Sequence, residues 1–416
     1  MFRTQSAIVA PAAHAAEAVA PQFIGEAHLL QNYARAPVEF VRGEGCELID
    51  STGKRYLDFV AGIAVCALGH AHPEITDAIA RQAGTLVQTS NLWYHEPAGT
   101  LANELATRSG LERVFFCNSG SEANEAAIKL ARKRAFRRGE SRRTILACEG
   151  SFHGRTYGAL AATANPHYKE GFEPIPGGFA HVAFNDVAAL EAAFDDSVVA
   201  FIVEPVQGES GVKPATRAFL EAARRLCDEH EALLIFDEIQ AGMGRLGTLF
   251  AFQTFGVRPD VVTLAKALAN GLPIGAVLID GASANALQPG DHGSTFGGSP
   301  VPCAAGLAHL RIRDRLELDA HVASMGARLF AGLQSVAAEF PNVFDAPRGL
   351  GLMLGLPVRA PLEAKAIVTE AREKEGILLN AAGENTLRFV PPLIITAEEI
   401  DRGLAGLRRA TRATFG

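Results

Sequence analysis

Short, nearly unbroken apolar runs alternate with segments of helical periodicity over most of this chain. The runs 114–117, 144–147, 200–203, 233–236, 261–264 and 275–279 contain almost no polar residue. Strands that are apolar on both faces, with helices such as 122–138 and 216–229 between them, predict a mostly parallel sheet covered by helices. From 39 to 59 the runs are shorter and are broken by Gly43, Gly45 and Asp50-Ser51-Thr52-Gly53, which predicts a small antiparallel meander. Helical spacing of Ile75, Ile79 and Ala83 predicts a helix after His72-Pro73, and 97–108 repeats the pattern. Beyond Pro302, helices at 304–316, 318–339, 361–376 and 396–414 and strands at 352–356 and 387–390 predict a second, smaller α/β domain. The expected organisation is a disordered extension (1–25), a segment packing with the small domain (26–70), a large domain (71–305) and the small domain (306–416).

Composition narrows the class of protein. With 416 residues, 48% hydrophobic and 20% charged, the chain has ample interior for a sizeable core. Its net charge of −7 is spread along the chain. There is no basic stripe for nucleic acid and no apolar run of membrane-spanning length. Six scattered cysteines without a CxxC pair argue against a disulfide or metal framework and for a reducing, cytoplasmic setting. The alanine-rich start is interrupted by Pro11, His14 and Glu17, which fits a frayed extension better than a secretory signal.

Candidate chemistry concentrates between Leu233 and Leu278. One apolar run ends in Asp237-Glu238-Ile239-Gln240; the next delivers Lys266, 29 positions on (266 − 237). A lone lysine is usually a solvated charge, and a strand-end aspartate is often a cap or a metal ligand. Together they match the needs of pyridoxal phosphate (PLP): an amine for a Schiff base and a carboxylate for the pyridine nitrogen. Burial at a strand end lowers a lysine pKa by up to about 3–5 units, which frees the amine. Gln240 stands close enough to reach the ring oxygen. Ser119-Gly120-Ser121 lies at a strand-to-helix junction, where backbone N–H groups and a hydroxyl can hold a phosphate. Ser119 and Glu122 have capping-box spacing. Ser294 and Thr295 are further donors, and Phe152 could cover the ring. Gly242-Met243-Gly244-Arg245-Leu246-Gly247 matches the dinucleotide fingerprint in letters. It does not follow its strand directly, and the next acid, Asp260, comes only 13 positions later (260 − 247), so it reads as a loop.

The motifs NSGSEANEAAIKLAR, EGSFHGRT, EPVQGE, FDEIQAGMGRLG, TLAKALANGLPIGA, GSTFGG and LRFVPPL together resemble class III (ω-) aminotransferases of the fold-type I PLP enzymes, most like those acting on acetylornithine. The resemblance covers about residues 28–412. It implies that Lys266 forms the cofactor linkage and shuttles the proton, that Asp237 pairs with the pyridinium, and that Ile239 packs opposite Phe152. It also implies that Gln240 bonds the ring oxygen and that Ser119, Gly120 and Ser121 hold the phosphate. Glu238 falls within the same cofactor-contacting stretch. Thr295 would come from the partner of a homodimer, with the active sites at the interface. Arg155 would take the substrate carboxylate, Arg388 the α-carboxylate of glutamate or 2-oxoglutarate, and Ser294 would add a substrate contact. Glu209 would cover Arg388 when the donor lacks an α-carboxylate beside its reacting carbon. The implied reaction is transfer of the δ-amine of N2-acetylornithine to 2-oxoglutarate. Succinylornithine, succinyldiaminopimelate, ornithine, 4-aminobutyrate and acyl-lysine are alternative donors, and a PLP racemase or aminomutase is a further alternative. Trp93 in SNLWYHEP departs from the tyrosine or phenylalanine expected there.

Overall fold

The computed structural model describes residue 23 and residues 25–416. The expected extension at 1–25 therefore lies almost wholly outside the described residues.

A seven-stranded sheet carries the architecture. Its order is Arg113–Cys117, Gly275–Ile279, Val261–Leu264, Leu233–Asp237, Val198–Val203, Thr144–Cys148 and Phe179–Val182. Gly275–Ile279 runs against both of its neighbours; the remaining pairings are parallel. The lack of polar residues in these strands follows from burial on both faces. Leu233 and Ile235 belong to a core shared with helix Gly120–Arg137, whereas Leu234 and Phe236 belong to the core on the opposite face. Ala123, Ala126, Ala127, Leu130 and Ala131 line the buried side of that helix, and their small volume lets it lie close to the sheet.

Register turns sequence distance into proximity. Asp237 pairs with Thr263 across two parallel strands, so the ends leading to Asp237 and Lys266 emerge side by side. Arg113–Cys117 and Val261–Leu264 both run against Gly275–Ile279, which brings the Ser119-Gly120 junction to the same carboxyl edge. Such an edge is where open α/β sheets bind ligands.

The meander Phe40–Glu44, Glu47–Asp50 and Arg55–Asp58 is antiparallel and gains a fourth, parallel strand, Ile377–Leu378, from the C-terminal part. The C-terminal part has its own antiparallel sheet, in the order Arg348–Leu350, Met353–Pro357, Thr386–Phe389, Asn380–Ala382. The helix expected over 361–376 is shorter: Ala364–Glu370 gives way to a π turn at Ala371–Glu375 that Gly376 ends with φ 63°. Strand Phe179–Val182 and helix Val187–Ala193 have no clear counterpart in the apolar pattern. Both are short, and the strand carries polar His181. No helix among the described residues is long and apolar enough to cross a membrane.

Candidate active site

A cavity of about 340 Å³ opens at the carboxyl edge of the sheet. Its wall includes Ser119, Gly120, Ser121, Phe152, Asp237, Ile239, Gln240 and Lys266, together with Asn118, His153 and Glu204. Lys266 starts a 3-10 turn, Lys266–Ala269, with a left-handed backbone (φ 42°) that few non-glycine residues adopt. Desolvation holds its amine below the usual lysine range; Glu209 opposes that shift and Arg388 adds to it.

Asp237 is buried and fixed on both oxygens. Its Oδ2 accepts from Asn124 Nδ2 at 2.7 Å and pairs with His153 Nδ1 at 2.8 Å, and Oδ1 accepts from the Ile239 N–H at 3.1 Å. Asn124 is oriented in turn, since its Oδ1 accepts from Thr263 Oγ1 at 2.9 Å and its amide donates to the His153 carbonyl at 2.6 Å. Glu204 follows strand Val198–Val203, and its Oε2 accepts from the Phe152 N–H at 3.0 Å. Burial, then the charge of Asp237, raises its pKa well above the carboxylate range.

Ser119 caps helix Gly120–Arg137 by accepting from the Glu122 N–H at 3.2 Å. The reciprocal bond goes one residue further back than a capping box requires: Glu122 Oε2 accepts from the Asn118 N–H at 2.8 Å. A Cβ at position 120 would come within 2.8 Å of Ile239 Cδ1, so the absent side chain keeps this corner open. Gly154 has φ 139°, and a Cβ there would overlap Ser121 Oγ, which accepts from the Arg155 N–H at 3.1 Å.

Arg388 is buried beneath the site, outside the cavity wall. Its Nη1 donates to Glu209 Oε1 at 2.5 Å and to Gln240 Oε1 at 3.2 Å, while Gln240 Nε2 donates to the same Glu209 oxygen at 3.1 Å. Burial pushes the Glu209 carboxyl up, but Arg388 and Lys266 outweigh it and hold the pKa below the ordinary value. Glu209 and Phe152 border an adjoining cavity of about 1010 Å³.

Four expected residues lie elsewhere. Glu238 points away from the cavity: its carboxylate accepts from the Ala251 and Phe252 N–H groups at 2.6 and 2.8 Å, because successive residues leaving the strand face opposite sides. Burial raises its pKa to about 8. Arg155 is exposed, with its guanidinium 3.8 Å from the Tyr168 ring centre and 5.4 Å from that of Phe152. Ser294 Oγ accepts from Asn118 Nδ2 at 3.1 Å, and exposed Thr295 offers its carbonyl to Gln88. Asn124, His153 and Glu204 were missed. Glu204 had a visible signal, a carboxylate directly after an apolar run, as for Asp237. Asn124 is a polar residue on an alanine face, which on sequence reads as ordinary helix.

A profile of the aminotransferase class-III family matches residues 30–411. The chain belongs to that family. It is 48% identical to the acetylornithine aminotransferase of Thermosynechococcus vestitus over 391 residues, 92% of this chain and 94% of that protein. It is 49% identical to the Gloeobacter violaceus acetylornithine aminotransferase over 383 residues, 91% and 94% of the two. Among solved structures, N-acetylornithine aminotransferase from Stenotrophomonas maltophilia superposes with TM-score 0.81 at 42% identity, covering 94% of this chain and 99% of that one. Ornithine aminotransferase from Toxoplasma gondii superposes with TM-score 0.89 at 34% identity, covering 94% and 93%. A second structure of the T. gondii enzyme describes PLP in its active site. This aminotransferase is therefore a PLP enzyme. Its residues fit the group: a desolvated lysine and an anchored aspartate border one cavity, with a glycine-serine helix start at the rim.

Proposed function

We propose that this aminotransferase moves the δ-amine of N2-acetyl-L-ornithine to 2-oxoglutarate, yielding N-acetyl-L-glutamate 5-semialdehyde and L-glutamate, a step of arginine biosynthesis. The observation that carries the two-substrate reading is the Glu209–Arg388 pair at 2.5 Å, which hides a carboxylate receptor behind a removable carboxylate. The acetylornithine aminotransferases that match over nine-tenths of the chain support the choice of donor.

When bound, PLP supplies an electron sink for the carbon that loses its proton. Lys266 Nζ, whose pKa desolvation holds below the usual lysine range, takes that proton and returns it. Asp237, held by Asn124 and His153, keeps a proton on the ring nitrogen. Phe152 and Ile239 would enclose the ring, and Ser119, Gly120 and Ser121 would receive the phosphate at the positive end of helix Gly120–Arg137. Arg155 receives the acetylornithine carboxylate, with Ser294 beside it. For glutamate, Glu209 swings away and Arg388 takes the α-carboxylate as a bidentate partner. We read 71–305 as the cofactor domain, 306–416 as the small domain and 26–70 as packed with the latter. The active unit is a cytoplasmic homodimer in which Thr295 completes the partner's phosphate site.

The test is a donor panel with 2-oxoglutarate: acetylornithine, succinylornithine, succinyldiaminopimelate, ornithine, 4-aminobutyrate and acetyl-lysine. Acetylornithine is expected to give the highest kcat/KM. A win for 4-aminobutyrate or free ornithine overturns the donor and leaves the aminotransferase class intact. In Glu209→Gln the preference is expected to move toward glutamate; an unchanged preference removes the gate.

A further inference from the structure

Arg245 is among the largest fully buried side chains, and no carboxylate among the described residues pairs with it. It sits in the loop that resembled a dinucleotide fingerprint, five residues after Gln240 (245 − 240). Its Nη1 donates to two backbone carbonyls of the C-terminal part, Leu352 at 3.2 Å and Pro391 at 2.5 Å. The contact is reciprocal, since the Leu352 N–H donates to the Arg245 carbonyl at 3.1 Å. Neighbouring glycines make room for it. A Cβ at Gly351 (φ 53°) would come within 2.6 Å of the Arg245 carbonyl oxygen, and one at Gly244 (φ 97°) within 3.1 Å of Leu393 Cδ1. Burial lowers the guanidinium pKa to about 9. An unpaired buried cation opposes folding, and an apolar side chain of similar size is often as stable in such a place. Fold stability alone therefore does not account for an arginine here.

Its two carbonyl partners suggest what does. Pro391 lies three residues after Arg388 (391 − 388), on the continuation of strand Thr386–Phe389. One loop thus grips that strand twice: Gln240 meets the Arg388 side chain at 3.2 Å, and Arg245 holds the backbone just beyond it. We propose that Arg245 is a positioning residue for the α-carboxylate half-reaction, holding the Arg388 strand in register with Gln240 and Glu209. The proposal rests on the reading of Arg388 as the receptor for glutamate and 2-oxoglutarate. A donor that presents its carboxylate to Arg155 instead does not depend on this register.

The test compares two amine donors, glutamate and acetylornithine, reacting with the same holoenzyme form, each half-reaction followed in a single turnover through cofactor absorbance. In Arg245→Met the half-saturating glutamate concentration is expected to rise about 10-fold or more, with that for acetylornithine within about twofold, since small misplacements of a binding group have large effects. Arg245→Lys, which keeps a donor and the charge, should recover part of the loss. A rise of equal factor for both donors, or for neither, overturns the proposal. If Arg245→Met yields no folded holoenzyme, Arg245→Gln, which keeps an amide donor without the charge or the fork, decides by the same criterion: a glutamate-selective rise supports the register role, and an equal or absent rise overturns it. The wild-type arm separates the two ideas. If wild type reacts with glutamate but not with acetylornithine, the donor assignment fails, and the comparison is made with whichever ω-amine of the panel reacts.

Discussion

The lysine turn depends on a residue that touches no substrate. His309, buried in helix Pro300–Arg315, bonds the carbonyl of Ala267 through Nδ1 at 2.6 Å, directly after Lys266. Its Nε2 is buried without a partner among the described residues, so a second proton there would be an unsatisfied donor. Burial, joined by the charges of Arg313 and Arg245, lowers its pKa to about 4. Because the folded value lies below the unfolded one, the contribution is present above pH ~6.5 and is lost as pH falls toward about 4. Chemical denaturation should show about 2 kcal/mol of His309-dependent loss between pH 7 and pH 5. His309→Gln should remove that part of the slope, and an identical slope in the variant would refute the assignment. At this scale legibility follows position on the chain. Asp237 and Lys266 are readable because each ends an apolar run. Asn124, His153 and Glu238 have roles set by which way a side chain turns after leaving its backbone.

At the scale of elements, helix Ala397–Phe415 shows two local rules and one override. Thr396 and Glu399 form a full capping box, as their spacing specifies. Gly403, in mid-helix, breaks the propensity rule, and alanine there would gain about 1 kcal/mol in helix preference. A Cβ at 403, however, would collide with the ring of Phe59, which is fully buried and packed edge-on against Phe389 at 5.8 Å. Overpacking costs about 1–3 kcal/mol. Gly403→Ala is therefore expected to lower stability by up to about 2 kcal/mol in thermal unfolding, with the cofactor absorbance unchanged; a raised Tm would show that the ring can yield. Most helix and strand positions are legible because their periodicity is local; Phe179–Val182 and Val187–Ala193 are too short to show it. The π turn at Ala371–Glu375 is not legible, since helical spacing continues through it.

At the scale of the whole molecule, several large apolar side chains among the described residues are exposed, and one group of them sits together beside the Ser294–Gly297 loop. Leu92 (80% exposed), Trp93 (68%) and Phe296 (65%) lie on segments joined where the Asn91 amide donates to the carbonyls of Ser294 and Gly297. A monomer rarely leaves such a patch uncovered, and Thr295 lies within it. On the proposed dimer, mixing Lys266→Ala subunits with Thr295→Glu subunits is expected to restore activity that neither variant has alone, because one site of each mixed pair then has both residues intact. No recovery would mean that Thr295 serves its own subunit's site or none.

The sequence by itself determined the class of this protein: the alternation of elements, the strand-end acid and amine, and the glycine-serine junction are all local patterns. Strand order and register were decided only by tertiary structure, because pairing such as Asp237 with Thr263 depends on packing between distant segments. The Glu209–Arg388 closure, between residues 179 positions apart, enters from the sequence only through the family resemblance, and its geometry is decided by packing. The same holds for Gly242–Gly247, which spacing alone reads as a loop but whose grip on the Arg388 strand only packing decides.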